Sequence, residues 1–137
     1  MRNTLATQMH NYVNTMLRAA LMALALALAL ALSAAPASAD AMDDAVAAFQ
    51  RGDYVKALRL FHILAERGDA VAQGSLGLMY ANGEGVTQDY VLAHMWFNLA
   101  AAQGVDQANA ARDVVAEHMT SEQVAEAQRL AREWKPK

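Results

Sequence analysis

The chain has no cysteine in its 137 residues. This excludes a disulfide framework, a thiolate metal site and a cysteine nucleophile. It also lacks any excess of basic charge. Eleven Lys and Arg stand against 14 Asp and Glu, a net charge of −3, whereas neutralising nucleic-acid phosphates needs clustered cations. Beyond the N-terminal Leu-Ala tract, no β-branched alternating run of useful length appears, so nothing predicts a sheet. The length admits one domain and no more.

What is present begins with a targeting signal. The run from Leu17 to Leu32 is apolar, carries Arg18 at its start and ends in Ala37-Ser38-Ala39. A positive flank, an apolar core and an A-x-A motif describe a secretory signal peptide. Cleavage is expected after Ala39, leaving Asp40 first. Retention of the run as a membrane anchor is the alternative, but the run is short for the roughly 20 residues a span needs. Residues 1–15 make a long polar flank, so Met16 is as reasonable a translation start as Met1. Removing residues 1–39 takes away Arg2 and Arg18 and no acidic residue, which moves the net charge from −3 to about −5. The expected location is periplasmic or secreted, with no membrane span after cleavage.

Residues 40–137 read as helices. Apolar positions recur at three and four (Leu58, Phe61 and Leu64; Leu76, Met79 and Tyr80; Leu92, Met95, Trp96 and Leu99), and Gly52, Gly68, Gly83 with Gly85, and Gly104 fall where helices stop. The hairpins repeat. At an offset of 36 residues, Asp53-Tyr54-Val55-x-Ala57 matches Asp89-Tyr90-Val91-x-Ala93, Phe61 matches Phe97, Ala65 matches Ala101, Gly68 matches Gly104 and Ala72 matches Ala108. A period of this length belongs to helix-turn-helix solenoids. The second hairpin carries an extra loop, Glu84 to Gln88. Gly83 is expected to end one helix with positive φ, Gly85 to permit a second reversal, Val86 to tuck inward and Thr87 to cap the next helix. Ala72, Gly77, Ala93, Ala100 and Ala101 are small where helices pack closely, and Leu76, Tyr80 and Trp96 fill the space between.

The pattern Ala72-x3-Leu76-Gly77-x2-Tyr80-x2-Gly83-x-Gly85-Val86-x2-Asp89-x3-Ala93-x2-Trp96-x3-Ala100-Ala101-x2-Gly104 resembles the Sel-1-like repeat, a tetratricopeptide-like unit. The resemblance implies an all-α fold, a short right-handed α-solenoid of antiparallel helix hairpins. Residues 40–69 would be a first hairpin, 70–104 a full repeat and 105–137 a cap. In the cap, Arg112 and Asp113 replace the Leu-Gly pair. Thr120 and Gln123 form a capping box, and Val124, Ala127, Leu130, Ala131 and Trp134 make one apolar stripe.

No catalytic constellation stands out. His62, His94 and His118 lack metal-site spacing and are expected to be partly exposed. Ser75 is in no nucleophile elbow, the Gly83–Gly85 loop is no phosphate loop, and no cofactor is called for. The resemblance implies a non-enzymatic adaptor of the bacterial envelope that binds an unidentified protein or peptide in its concave groove, as a monomer or weak oligomer. Two alternatives stand beside it: a β-lactamase-like hydrolase, as described for cysteine-rich relatives, and a structural subunit of an envelope oligomer. By the family's geometry the residues facing the groove are Gly74, Leu78 and Asn82, spaced at four along one helix face.

Overall fold

The computed structural model describes residues 36–137 continuously, together with residues 4, 7–9, 11, 12, 14–16 and 18. The apolar run of the expected signal peptide lies outside the described residues, apart from Arg18. The chain divides into two compact units, Met1–Ala37 and Ser38–Lys137, and the fold of interest is the second.

Residues 36–137 form six helices: α1 (Pro36–Gln50), α2 (Tyr54–Glu66), α3 (Ala70–Asn82), α4 (Tyr90–Ala102), α5 (Asp106–Ala116) and α6 (Ser121–Glu133). α2 packs on α3, α3 on α4 and α4 on α5, and α6 folds back on α4, stacked helices consistent with the solenoid that the period predicts. The repeat is visible atom by atom in its turns. Asp53 and Asp89, which are 36 residues apart, each cap a helix: their carboxylates accept the N–H of Lys56 at 3.2 Å and of Leu92 at 3.0 Å. Gly68 and Gly104 close the two α-α turns at the same φ of +95°. Asp69 caps α3 in the same way, accepting from the Ala72 N–H at 2.8 Å. Its counterpart at the next turn is Val105, which makes no side-chain cap, so α5 starts without the bond, worth about 1 kcal/mol, that holds the starts of α2, α3, α4 and α6.

One expected cap is corrected. Thr87 does not start α4. The helix begins at Tyr90, so the capping position falls on Asp89, in extended backbone, two residues beyond Thr87. Gly83 does end α3, in left-handed conformation, with the Glu84 N–H donating to the Met79 carbonyl at 2.9 Å. Gly85 makes the second reversal at φ +72° and does more than turn. A Cβ there would lie 2.6 Å from the Tyr54 carbonyl oxygen, so the inserted loop runs against the first turn of α2. Only glycine permits both the angle and the approach.

α4 is the central helix. Its Met95 and Trp96 join one core cluster with Ala45, Ala48, Phe61, Leu64, Leu76 and Met79. Its Ala93, Phe97 and Ala100 form a second with Ala108 and Val115 of α5. Neither α3 nor α4 carries a charged side chain, which is how a helix packed on several sides should read. Gly77 sets the α3–α4 spacing: a Cβ at this position would sit 2.6–2.9 Å from three ring atoms of Phe97.

α6 opens with the expected capping box, Thr120 and Gln123 bonding each other's backbone N–H at 2.9 and 3.2 Å. It packs on α4. Its stripe brings Leu130, Ala131 and Trp134 onto the first core cluster, with Trp134 edge-on to Trp96 at 6.3 Å. The tail then reaches α2, where Lys137 donates its backbone N–H to the Glu66 carbonyl and pairs its ammonium with the Glu66 carboxylate at 2.7 Å. That hydrogen bond holds the Glu66 carboxyl below its ordinary value. The opposite face of α6 is solvated, with Arg129 bridging Glu126 and Glu133. Exposed pairs of this kind contribute at most about 1 kcal/mol.

Candidate functional site: a groove beside α3 and a polar seam behind it

Repeated stacking leaves a groove. A cavity of about 440 Å³ is lined by Val71, Gly74, Ser75 and Leu78 of α3, by Phe97 of α4, and by Val105 and α5 residues that include Ala108 and Ala111. Each wall follows from local sequence. Val71, Gly74, Ser75 and Leu78 share one face of α3 at spacings of three and four. Gly74 keeps the groove deep, since a Cβ added there would reach only the Ala100 Cβ, at 3.9 Å. The Ser75 hydroxyl donates to the Val71 carbonyl at 2.9 Å, which turns the one hydroxyl of the lining back onto its own helix.

The three residues expected to face the groove separate. Gly74 and Leu78 line it; Asn82 is exposed at the end of α3 and is not part of the lining. The lining adds Val71, Ser75 and Phe97 to the expected set. Val71 was visible as an apolar residue three positions before Gly74. Phe97 was not, because the 36-residue match marks it as core. Val71 is 60% exposed and Leu78 45% exposed. Covering such a residue gains roughly 1–2 kcal/mol before the costs of association.

Behind the groove, α4 turns a polar stripe toward α5: Tyr90, His94 and Asn98, spaced at four. Arg112 of α5 donates to Asn98 Oδ1 at 3.4 Å and to Asp113 Oδ1 at 3.0 and 3.2 Å. Tyr90 stacks on His118 with ring centroids 5.4 Å apart. The expectation that the histidines are partly exposed holds for His62 and His118 and fails for His94, which is 3% exposed. The signal lay in the repeat: 36 residues earlier, at the matching position of α2, stands Leu58, a residue packed against the core. His94 therefore occupies an apolar slot. Its Nδ1 is buried with no hydrogen-bond partner. Burial first, and the Arg112 charge second, push its pKa below the ordinary histidine value. The other buried polar side chain, Gln73, is well served: it donates to the Ala65 carbonyl at 3.3 Å and accepts from Gln103 at 2.8 Å.

Among the described residues, no three His, Asp or Glu side chains gather as a metal site. Ser75 and Ser121 have no histidine partner; the Ser121 hydroxyl faces Glu122. No described helix is long and apolar enough to cross a membrane.

Stacked helices beside an open apolar groove define a helical-repeat interaction scaffold. The particular repeat is the Sel1 repeat, which matches residues 48–69 and 70–105, and these residues are a tandem pair of that family. Sel1 repeats are generally non-catalytic scaffolds for protein–protein contact. α5 beyond its cap, and α6, lie outside the matched segments. Among solved structures, the fold is similar to the crystal structure of c5321, a protective antigen present in uropathogenic Escherichia coli strains that displays an SLR fold. The match has a TM-score of 0.67 and 27% identity, and covers 71% of this chain. The chain spans 22% of that protein's length. No curated protein matches the chain.

Proposed function

We propose that this protein is a non-catalytic adaptor of the bacterial envelope that seats an apolar segment of a partner protein or peptide between α3 and α5. The observation carrying this reading is the exposure of Val71 and Leu78 at the lip of a groove floored by Phe97. Contiguous uncovered apolar surface is uncommon on a chain that works alone. The residues of α3 and α4 bring no charge to the groove, so its complement is an uncharged apolar side chain presented by a short helix or extended segment. Export rests on the sequence: an apolar run followed by Ala37-Ser38-Ala39. α1 begins at Pro36, so cleavage after Ala39 removes about its first turn. The new helix start then carries Asp40, Asp43 and Asp44, anions that the positive end of the helix dipole favours.

The test is a crosslinked pull-down from envelope extracts with the mature protein, in parallel with Leu78→Glu. A partner recovered by the wild type and lost with the variant, at unchanged melting temperature, supports the reading. A partner recovered equally by both places the contact outside this groove.

A further inference from the structure

A histidine in an apolar slot, without a partner for a buried ring nitrogen, is a group whose neutral state the fold requires. We propose that the seam between α4 and α5 is an acid-sensitive joint, in which protonation of His94 detaches α5 from α4 and takes apart one wall of the groove.

The geometry around His94 leaves the protonated ring unsupported. Imidazolium presents two N–H donors, and Nδ1 is buried with nothing to accept from it. The charge from α5 that acts most on His94 is the cation of Arg112, already committed to Asn98 and Asp113. The Asp113 carboxylate is the one anion in reach, and it is exposed and held by two Arg112 N–H groups. α3 adds no charge; its titratable group on this cluster is Tyr80, whose phenol is pushed up by burial and stays neutral. Tyr90 and the stacked His118 flank the seam one turn away. α2 and α6 meet α4 through Trp96, beside His62 and Trp134, and the ion-paired side chains of α6 lie on its exposed face. A proton on His94 therefore adds a second cation within the field of Arg112, on a ring whose Nδ1 is buried with no acceptor.

The sign follows. The folded protein holds the ring below the ordinary value of about 6.5. The unfolded or opened chain takes the proton first as pH falls. Stability from the neutral ring is complete above about pH 6.5 and declines as pH drops toward the lowered value. α5 is the element to yield, because it begins at Val105 without a capping side chain and local opening follows the weakest contacts. The consequence for the groove rests on the function proposed above; the joint itself does not.

Hydrogen exchange on the full chain between about pH 7 and pH 5, corrected for intrinsic exchange, reads the joint directly. In the wild type, α5 amides should lose protection as the pH falls, while α2 and α3 keep theirs. His94→Leu, which restores the residue of the matching position in α2, should abolish the acid loss, and His94→Gln should do so if the leucine variant folds poorly. His118→Gln should behave as wild type. Acid loss that persists in the folded His94 variant, disappears in His118→Gln, or spreads evenly over α2 and α3 overturns the proposal. So does an NMR titration that finds the His94 ring at or above about 6.5 in the wild type.

Discussion

Gly77→Ala isolates the packing logic of the repeat, because two effects of opposite sign meet at one atom. In a helix interior, alanine is favoured over glycine by roughly 1 kcal/mol. Against this, the new Cβ would lie 2.6, 2.7 and 2.9 Å from Cδ1, Cε1 and Cγ of Phe97. The clash runs along one edge of the ring and includes the atom nearest its backbone, so no rotation of a free end relieves it. The ring, or the whole of α4, must move by about 1 Å to restore ordinary contact. Phe97 is itself buried and packs with Ala93, Ala100, Ala108 and Val115. Overpacking of this kind costs about 1–3 kcal/mol, and the tightness of the site argues for the upper half. The net expectation is destabilisation by about 1–2 kcal/mol, which lowers the melting temperature of a domain this size by roughly 5–15 °C. Urea unfolding followed by circular dichroism measures it. Phe97→Leu in the same chain should reduce the cost of the alanine, a coupling that a double-mutant cycle reads directly. A Gly77→Ala variant as stable as the wild type would refute the claim that this glycine sets the α3–α4 distance.

Trp96→Ala truncates a side chain 5% exposed that joins α4 to Trp134 and His62. It should cost roughly 3–5 kcal/mol in the same unfolding assay. Deletion of Thr120 to Lys137 uncovers Trp96, against which Trp134 packs, and removes the Lys137–Glu66 clasp. A loss of roughly 3–5 kcal/mol or outright aggregation is expected, and a monomer with unchanged melting temperature would show α6 to be an appendage. N-terminal sequencing of the exported protein should begin at Asp40; an intact 17–32 segment in the membrane fraction contradicts cleavage.

The repeat unit was legible in the sequence because each of its devices is local. Asp at position 53 and again at 89, Gly at 68 and again at 104, and alanines at fixed offsets mark caps, turns and close contacts that the backbone realises where the spacing puts them. The cap of α4 was misplaced on Thr87 because the loop insertion hides the helix start; the equivalence of Asp89 with Asp53 held the answer. Contacts between hairpins were harder to read. Gly85 lies against Tyr54, a residue 31 positions earlier, and nothing in the loop's own composition encodes that approach. His94 shows the same limit from the other side. Its type suggested exposure, while the periodic slot it fills dictates burial, and in a stacked repeat the slot prevails over residue type. On α3 the family's geometry and the four-residue spacing pointed to Gly74, Leu78 and Asn82, of which the first two line the cavity and Asn82 does not. The contributions of Phe97 and α5 depend on how neighbouring hairpins lean, which a one-helix pattern does not contain.

The central claim is that the groove between α3 and α5 is where a partner is held. Backbone amide shift mapping with an isotopically labelled chain and the partner segment recovered by crosslinking tests it most directly. The account predicts perturbations concentrated at Val71, Gly74, Leu78, Ala108 and Ala111, all lost with Leu78→Glu. Perturbations centred on the Gly83–Gln88 loop, or undiminished by that substitution, would contradict it.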